Sequence, residues 1–346
     1  MENENPKNTP QGGYREKLRT ITLEEHFGSP AYMDTPGRRE GMSTMAYRPG
    51  FEHFVENLGD LGEGRIAQMD AAGIDMQVLS HTAARGPGED EMLADPQEAI
   101  NTATEANEFL AAAVKQYPDR FGGFATLPTP IPEAAADELE RTVKEYGFKG
   151  AFINGHTGSR YLDDKFFWPI LERAESLRVP IYIHPTPPPQ PVIDAYYSGF
   201  SPEVIFGFST NGWGWHIETA VHVLRMILGG VFDQFPDLQI IIGHLGEALP
   251  FMLPRLDRNM GQAMTKLNRS IGAYLRENLY YTFSGFNFIP TFLDLFMQVG
   301  ADRIMFSADY PYSSMAEARA FLDRLPVSTA DRHKIAHGNA ELLMGL

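Results

Sequence analysis

Five side chains in this sequence have the chemistry of ligands for a divalent cation: Glu24, His26, His184, His244 and Asp309. Glu24 and His26 lie in LEEHF, at the end of an apolar run in which Ile21 and Leu23 alternate with Thr20 and Thr22. In an extended strand, residues two apart share a face, so Glu24 and His26 point together and Glu25 points away. A carboxylate beside an imidazole at a strand end suits an ion such as Zn or Mn. Taken alone, a Glu-x-His pair on a strand is more often solvated polar surface. The reading turns on where the rest of the chain places the other three groups.

The elements that must position them follow from the apolar pattern. Strand one ends in LEEHF, and a Gly- and Pro-containing polar loop runs from 28 to 50. A helix over Gly62–Ala72 stops at Gly73, a C-cap signal. Further strands are expected at 75–79, 121–127, 150–153, 180–183, 238–242, 279–283 and 303–306, with helices between them, including 95–116, 132–146, 165–177, 216–228 and 290–299. Pro132 falls in the first turn of its helix. Strands such as IYI and QIIIG are apolar throughout, as in a parallel sheet covered on both faces. Eight β-α units predict an α/β protein, a (β/α)8 TIM barrel in a single domain over residues 20–346, with residues 1–19 a flexible N-terminal arm. The longest loop, 186–215 after strand five, stands where a barrel carries a lid.

Composition removes several function classes. With no cysteine, disulfides, Zn–thiolate sites and Cys nucleophiles are excluded, and a reducing, cytoplasmic setting is expected. The polar N-terminus has no apolar core of a secretion signal, and no apolar run is long enough to span a bilayer. A net charge of −16, from 29 Lys and Arg against 45 Asp and Glu, argues against nucleic-acid binding. It also means that an anionic substrate needs specific local cations.

In a (β/α)8 barrel the site forms at the C-terminal ends of the strands. Glu24 and His26 end strand one, His184 strand five, His244 strand six and Asp309 strand eight. Each has a bland alternative: a hydrogen-bonded structural histidine, or an aspartate capping the next helix. Together at one barrel mouth they point to a metal site.

The motifs Glu24-x-His26, His184 in IYIHP, GHLGEALPF at 243–251 and Asp309 in FSADYP resemble the amidohydrolase superfamily. Within it they resemble the aminocarboxymuconate-semialdehyde decarboxylase-like branch, and most closely the gamma-resorcylate and 2,3-dihydroxybenzoate decarboxylases, from about Ile21 to the C-terminus. The resemblance implies that Glu24, His26, His184 and Asp309 hold one divalent metal ion, Zn or Mn. It further implies that His244 is an acid/base or substrate-binding group held by Glu247, and that Arg255 reaches a neighbouring subunit's site to bind substrate carboxylate. An always-charged planar fork suits that task, and it makes a homodimer or homotetramer the working unit. Binuclear members of the superfamily use a bridging Lys at the end of strand four. Here Asn154 stands there, with Lys149 at the other end, so a single ion is expected.

Arg48 is a second candidate for the carboxylate, and Asn154 can hydrogen-bond a ring hydroxyl. Phe27, Trp213, Trp215, Tyr310 and Tyr312 flank the motifs and can wall an aromatic pocket, and His81 at the end of strand two can contact substrate. The leading expectation is reversible, non-oxidative decarboxylation of an ortho-hydroxybenzoate, with the metal chelating phenolate and carboxylate and Asp309 protonating the ring carbon. The alternative keeps the metal and makes the reaction a hydrolysis or hydration of a lactone, an amide or a ring-cleavage product, by way of a metal-bound water. A non-catalytic barrel is the third reading, and it predicts no tightly held metal.

Overall fold

The computed structural model describes residues 18–34, 52–82 and 96–346. Its strands are β1 (Ile21–Phe27), β2 (Met76–His81), β3 (Phe121–Gly123), β4 (Ala125–Thr126), β5 (Ala151–Asn154), β6 (Ile181–His184), β7 (Ile240–Ile242), β8 (Leu279–Thr282) and β9 (Ile304–Met305). Every pairing is parallel, in the order β1-β2-β3 and β4-β5-β6-β7-β8-β9. β3 and β4 are two halves of one barrel strand interrupted at Phe124. Phe124 N–H bonds to Leu79 C=O at 2.9 Å, while Ala125 N–H reaches Gly150 C=O at 2.8 Å. A parallel bridge from Leu23 to Ser307, with Leu23 N–H on Phe306 C=O at 3.2 Å, brings the last strand back to the first. The fold is the (β/α)8 barrel that the apolar pattern predicts.

Alternation along the strands divides the core into two layers. Ile21, Leu23, Met76, Val78, Phe124, Phe152, Tyr182, Ile241, Tyr280 and Met305 fill the barrel interior. Leu79, Phe121, Ala151, Ile153, Ile181, Ile183, Ile240, Ile242 and Ile304 face outward to the helices. Such helices include Pro132–Tyr146, closed by Gly147 at φ +71°, and Glu63–Ala72, closed by Gly73 at φ +72°. These left-handed C-cap positions carry a steric penalty for any residue with a Cβ.

β1 breaks its own alternation. Thr22 pairs with Gln77 and Glu25 with Leu79, so Leu23 and Glu24 together oppose Val78. Glu24 sits at φ +61°. This β-bulge inverts the phase of the strand. Ile21 and Leu23 point inward below it, and Glu24 and His26 point inward above it. A regular strand would have turned Glu24 and His26 to the helix layer with Thr22. Glu24 and His26 share a face with Glu25 on the other, as alternation predicts, and the bulge decides that the shared face is the inner one. The pair is not solvated surface: Glu24, Glu25 and His26 are fully buried.

Two other expectations need correction, and a third lies almost wholly outside the described residues. The 186–215 segment is not an irregular lid loop: it folds into Gln190–Val192, a π-helical turn Ile193–Tyr197 and the helix Pro202–Ser209. The helix over 165–177 is a 3-10 turn, Lys165–Phe167, running into Trp168–Leu177, with Asp164 accepting from Phe166 N–H to cap it. The N-terminal arm lies outside the described residues except for Leu18 and Arg19, where Arg19 pairs with Glu341 at 3.0 Å. Among the described residues no helix is long and apolar enough to cross a membrane.

Candidate active site

The C-terminal ends of β1, β6 and β9 bring four predicted groups together. His26 Nε2 lies 3.1 Å from Asp309 Oδ1, and His184 Nε2 lies 3.6 Å from Glu24 Oε1. Glu24, His26 and His184 offer ligand atoms all within 4.8 Å of one another. The two oxygens of Glu24 are treated differently. Oε2 accepts hydrogen bonds from the Tyr182 and Ser284 hydroxyls, whereas Oε1 is buried with no hydrogen-bond partner among the described residues. A buried carboxylate oxygen without a donor is costly unless a cation meets it, so this donor set fits a divalent ion. Gly243 is required here by close approach, because a Cβ would meet Glu24 Oε2 at 2.5 Å and Ser284 Oγ at 2.8 Å.

The electrostatics agree. Burial holds the His26 imidazole down to about 3, with Arg65 and His244 adding to the effect. Burial, His26 and His244 hold His184 well below the usual histidine range. Both rings are therefore neutral at pH 7, as metal ligation requires. Burial pushes the Glu24 and Asp309 carboxyls above the usual carboxylate range, against the pull of His244 on each. Left-handed backbone recurs at Glu24, His244, Glu247, Ser284 and Asp309, at φ between +47° and +64°. Non-glycine residues held this way each store roughly 1–3 kcal/mol and concentrate at functional sites.

His244 follows β7 and points its Nε2 toward Glu24 Oε1 at 4.0 Å. Its Nδ1 lies 2.7 Å from Glu247 Oε1. Burial alone would lower the His244 pKa, but the Glu247 and Glu24 carboxylates raise it to about 10. Glu247 is held below its ordinary value because His244 and His216 outweigh its burial. His216, which stands in none of the motifs, completes this group. It opens the helix Gly214–Leu228 and lies with Nδ1 2.6 Å from Glu247 Oε2. Its sequence position, 31 residues from Glu247, gave no spacing signal.

Four more contributors were unforeseen. Tyr182, two residues before His184 and on the same face, had a legible signal in IYIH. Ser284 had none. Glu25, buried behind the site, accepts Ala308 N–H at 2.7 Å and Tyr310 N–H at 3.3 Å, gripping the backbone on both sides of Asp309. Arg65, fully buried, donates to His26 C=O at 2.8 Å and to Gln77 Oε1 at 2.8 Å, and Gln77 in turn donates to Glu25.

The remaining predicted residues divide. Asn154 is in register with His184, and its Oδ1 is buried without a partner among the described residues. Tyr312 meets the His26 ring edge-on at 5.1 Å and shares a 2.6 Å hydrogen bond with Thr82. Trp215 stands 6.4 Å from the His184 ring, while Trp213 is exposed. Phe27 and His81 are paired on the outward phase, packed on each other at 5.1 Å, and His81 Nε2 accepts Ser29 N–H at 3.2 Å. The phase that turns His26 in turns these two out, and the inward neighbour is instead Ser80, whose hydroxyl is buried and has no partner among the described residues. Tyr310 lies behind the site, under Arg65 at 4.8 Å and bonded to Gln68. Arg255 is exposed on the helix Leu249–Asn259. Arg48 falls outside the described residues. Lys149 bonds Gly345 C=O at 3.3 Å, at the opposite end of the barrel from Asn154.

Residues 53–346 match the family model described as Amidohydrolase. The chain is 38% identical over 337 residues to the gamma-resorcylate decarboxylase of Polaromonas sp. (strain JS666), covering 94% of this chain and 98% of that one. The crystal structure of a dihydroxybenzoic acid decarboxylase from Polaromonas sp. JS666, with manganese and the inhibitor 2-nitroresorcinol, is 36% identical, with a TM-score of 0.83 over 95% of this chain and 97% of that one. That of a 5-carboxyvanillate decarboxylase from Novosphingobium aromaticivorans, with manganese and 4-hydroxy-3-methoxy-5-nitrobenzoic acid, is 36% identical, with a TM-score of 0.85 over 95% and 96%. This chain belongs to the amidohydrolase family.

Proposed function

We propose that this protein is a metal-dependent, non-oxidative decarboxylase of an ortho-hydroxybenzoate-type acid, working as a cytoplasmic homodimer or homotetramer. The observation that carries the reading is the partnerless Glu24 Oε1 facing His184 and His244 beside the His26–Asp309 pair. The relatives' named reactions support it. Glu24, His26, His184 and Asp309 would hold one divalent ion, manganese or zinc, which orients the ring by chelating phenolate and carboxylate.

The chain's own groups do the rest. Asp309, 3.1 Å from His26 Nε2 at the end of the last strand, gives its proton to the ring carbon that carries the carboxylate. The bond from that carbon to the carboxylate then breaks. Its electron pair restores the aromatic ring, CO2 leaves, and Asp309 regains a proton from solvent. His244, charged and held by Glu247, steadies the ring hydroxyl, and Asn154 offers its unpaired Oδ1 to a second one. Tyr312 walls the ring. Arg255, exposed on its own protomer, serves the substrate carboxylate of a neighbouring copy. High bicarbonate drives the reverse carboxylation.

Metal content by elemental analysis, with a screen of hydroxybenzoates for CO2 release, tests this. About one ion per chain is expected, with metal-dependent CO2. Asp309→Asn is expected to lower turnover by about 10²–10⁴-fold. Bound metal with no CO2 from any ortho-hydroxy acid would move the reading to hydrolysis or hydration.

A further inference from the structure

We propose that His216 is a positioning residue for this reaction: it holds one oxygen of Glu247 so that the other fixes His244 with its Nε2 aimed into the site. The inference rests on the decarboxylase reading for its kinetic consequence, but not for its geometry. Glu247 is buried and carries one imidazole on each oxygen, His216 Nδ1 at 2.6 Å on Oε2 and His244 Nδ1 at 2.7 Å on Oε1. The terminal torsion of a glutamate is broad and soft, so one hydrogen bond leaves the carboxylate free to swing. Two opposed bonds fix it. The rings of His216 and His244 lie 4.7 Å apart, and both pack edge-on against Phe286, at 5.1 and 5.2 Å.

His216 is itself held by the end of the 186–215 segment. Its Nε2 faces Asn211 C=O at 3.1 Å and the Trp215 indole nitrogen at 3.3 Å. The chain Asn211–His216–Glu247–His244 thus ties the placement of that segment to the direction in which His244 points. Residues that orient a functional imidazole from behind are commonly worth 10–100-fold in activity.

The test compares His216→Ala with His216→Asn, whose side-chain N–H takes the place of Nδ1–H. It uses the metal-loaded protein, with diamagnetic Zn2+ for spectroscopy. Two quantities are read: kcat and KM for CO2 release, and the water-exchange rate of the low-field His244 imidazole N–H in proton NMR, assigned through His244→Gln. In His216→Ala, kcat is expected to fall about tenfold at unchanged KM, and the His244 proton to exchange about tenfold faster. His216→Asn should restore both. Should His216→Ala fail to fold, His216→Phe, which keeps a ring and lacks the donor, takes its place. Unchanged exchange in the Ala or Phe chain overturns the proposal, as does an Asn chain as impaired as the Ala chain. If the wild-type chain releases no CO2, the decarboxylase reading fails, and the exchange rates still decide the role of His216.

Discussion

Removing the Tyr182 hydroxyl isolates what holds Glu24 ready for a cation. Tyr182 lies inside the barrel with no exposed surface, its ring 5.0 Å from Phe152 and 6.0 Å from Phe124. Tyr182→Phe keeps that packing and deletes one of two hydroxyl donors to Glu24 Oε2, leaving Ser284 as the other. The Thr282 hydroxyl, 2.6 Å from Tyr182, retains Ser284 at 2.8 Å. A hydrogen bond to a charged group contributes about 1.5–3 kcal/mol. At about 1.4 kcal/mol per tenfold, that is roughly 10–150-fold in ion affinity. Because Ser284 remains, the lower end is expected, near tenfold. The assay is competition between the protein and a fluorescent chelator for Mn2+ at pH 7.5, with the thermal midpoint of metal-free protein as the folding control. A Kd within twofold of wild type, in a chain with an unchanged midpoint, would refute the role given to these hydroxyls.

Two further outcomes follow from buried charge. Arg65→Met keeps the volume but strips the His26 carbonyl and Gln77 of their donor and leaves Glu25 without its nearest cation. A loss of about 3–5 kcal/mol is expected in urea unfolding, and one below about 1 kcal/mol would contradict it. His222 accepts Leu162 N–H at 3.0 Å, and burial, with His156 and Arg225, holds its pKa down to about 3. The folded chain keeps it neutral while the unfolded chain protonates below about 6.5. Its stabilisation is therefore complete above that pH and drains as pH falls from there toward about 3. Between pH 7.5 and 5.5 wild type should lose about 1.4 kcal/mol more than His222→Gln. Equal losses would show that His222 does not carry the pH dependence.

Much of this was legible in the sequence because barrel strands are short, apolar and evenly punctuated. Glu24, His26, His184 and Asp309 could be placed at one mouth by topology alone, since every parallel strand of a closed barrel ends on the same side. What escaped was set by backbone conformation and by distance along the chain. The inverted phase of β1 rests on a left-handed Glu24, a residue type with no preference for that region, whereas Phe27 and His81 face away from the site by plain alternation, each one residue past an inward group, His26 and Ser80. His216 and Ser284 reach the site from helix and loop positions whose direction no strand periodicity encodes. The helical content of 186–215 was hidden by its proline run, which suits first turns as well as loops.

The bulge in β1 also separates two demands that a regular strand would bind together. Below it, Ile21 and Leu23 answer only to the packing of the barrel interior. Above it, Glu24 and His26 answer to the buried polar cluster at the barrel mouth. The lower half can therefore drift among aliphatic residues without moving Glu24 or His26, and the upper half is insulated from repacking beneath. The same arrangement decides which residue the strand can spare: deleting Leu23 would leave Glu24 alone opposite Val78 and Glu25 still opposite Leu79, so Glu24 and His26 would keep their face while the barrel interior lost one aliphatic side chain.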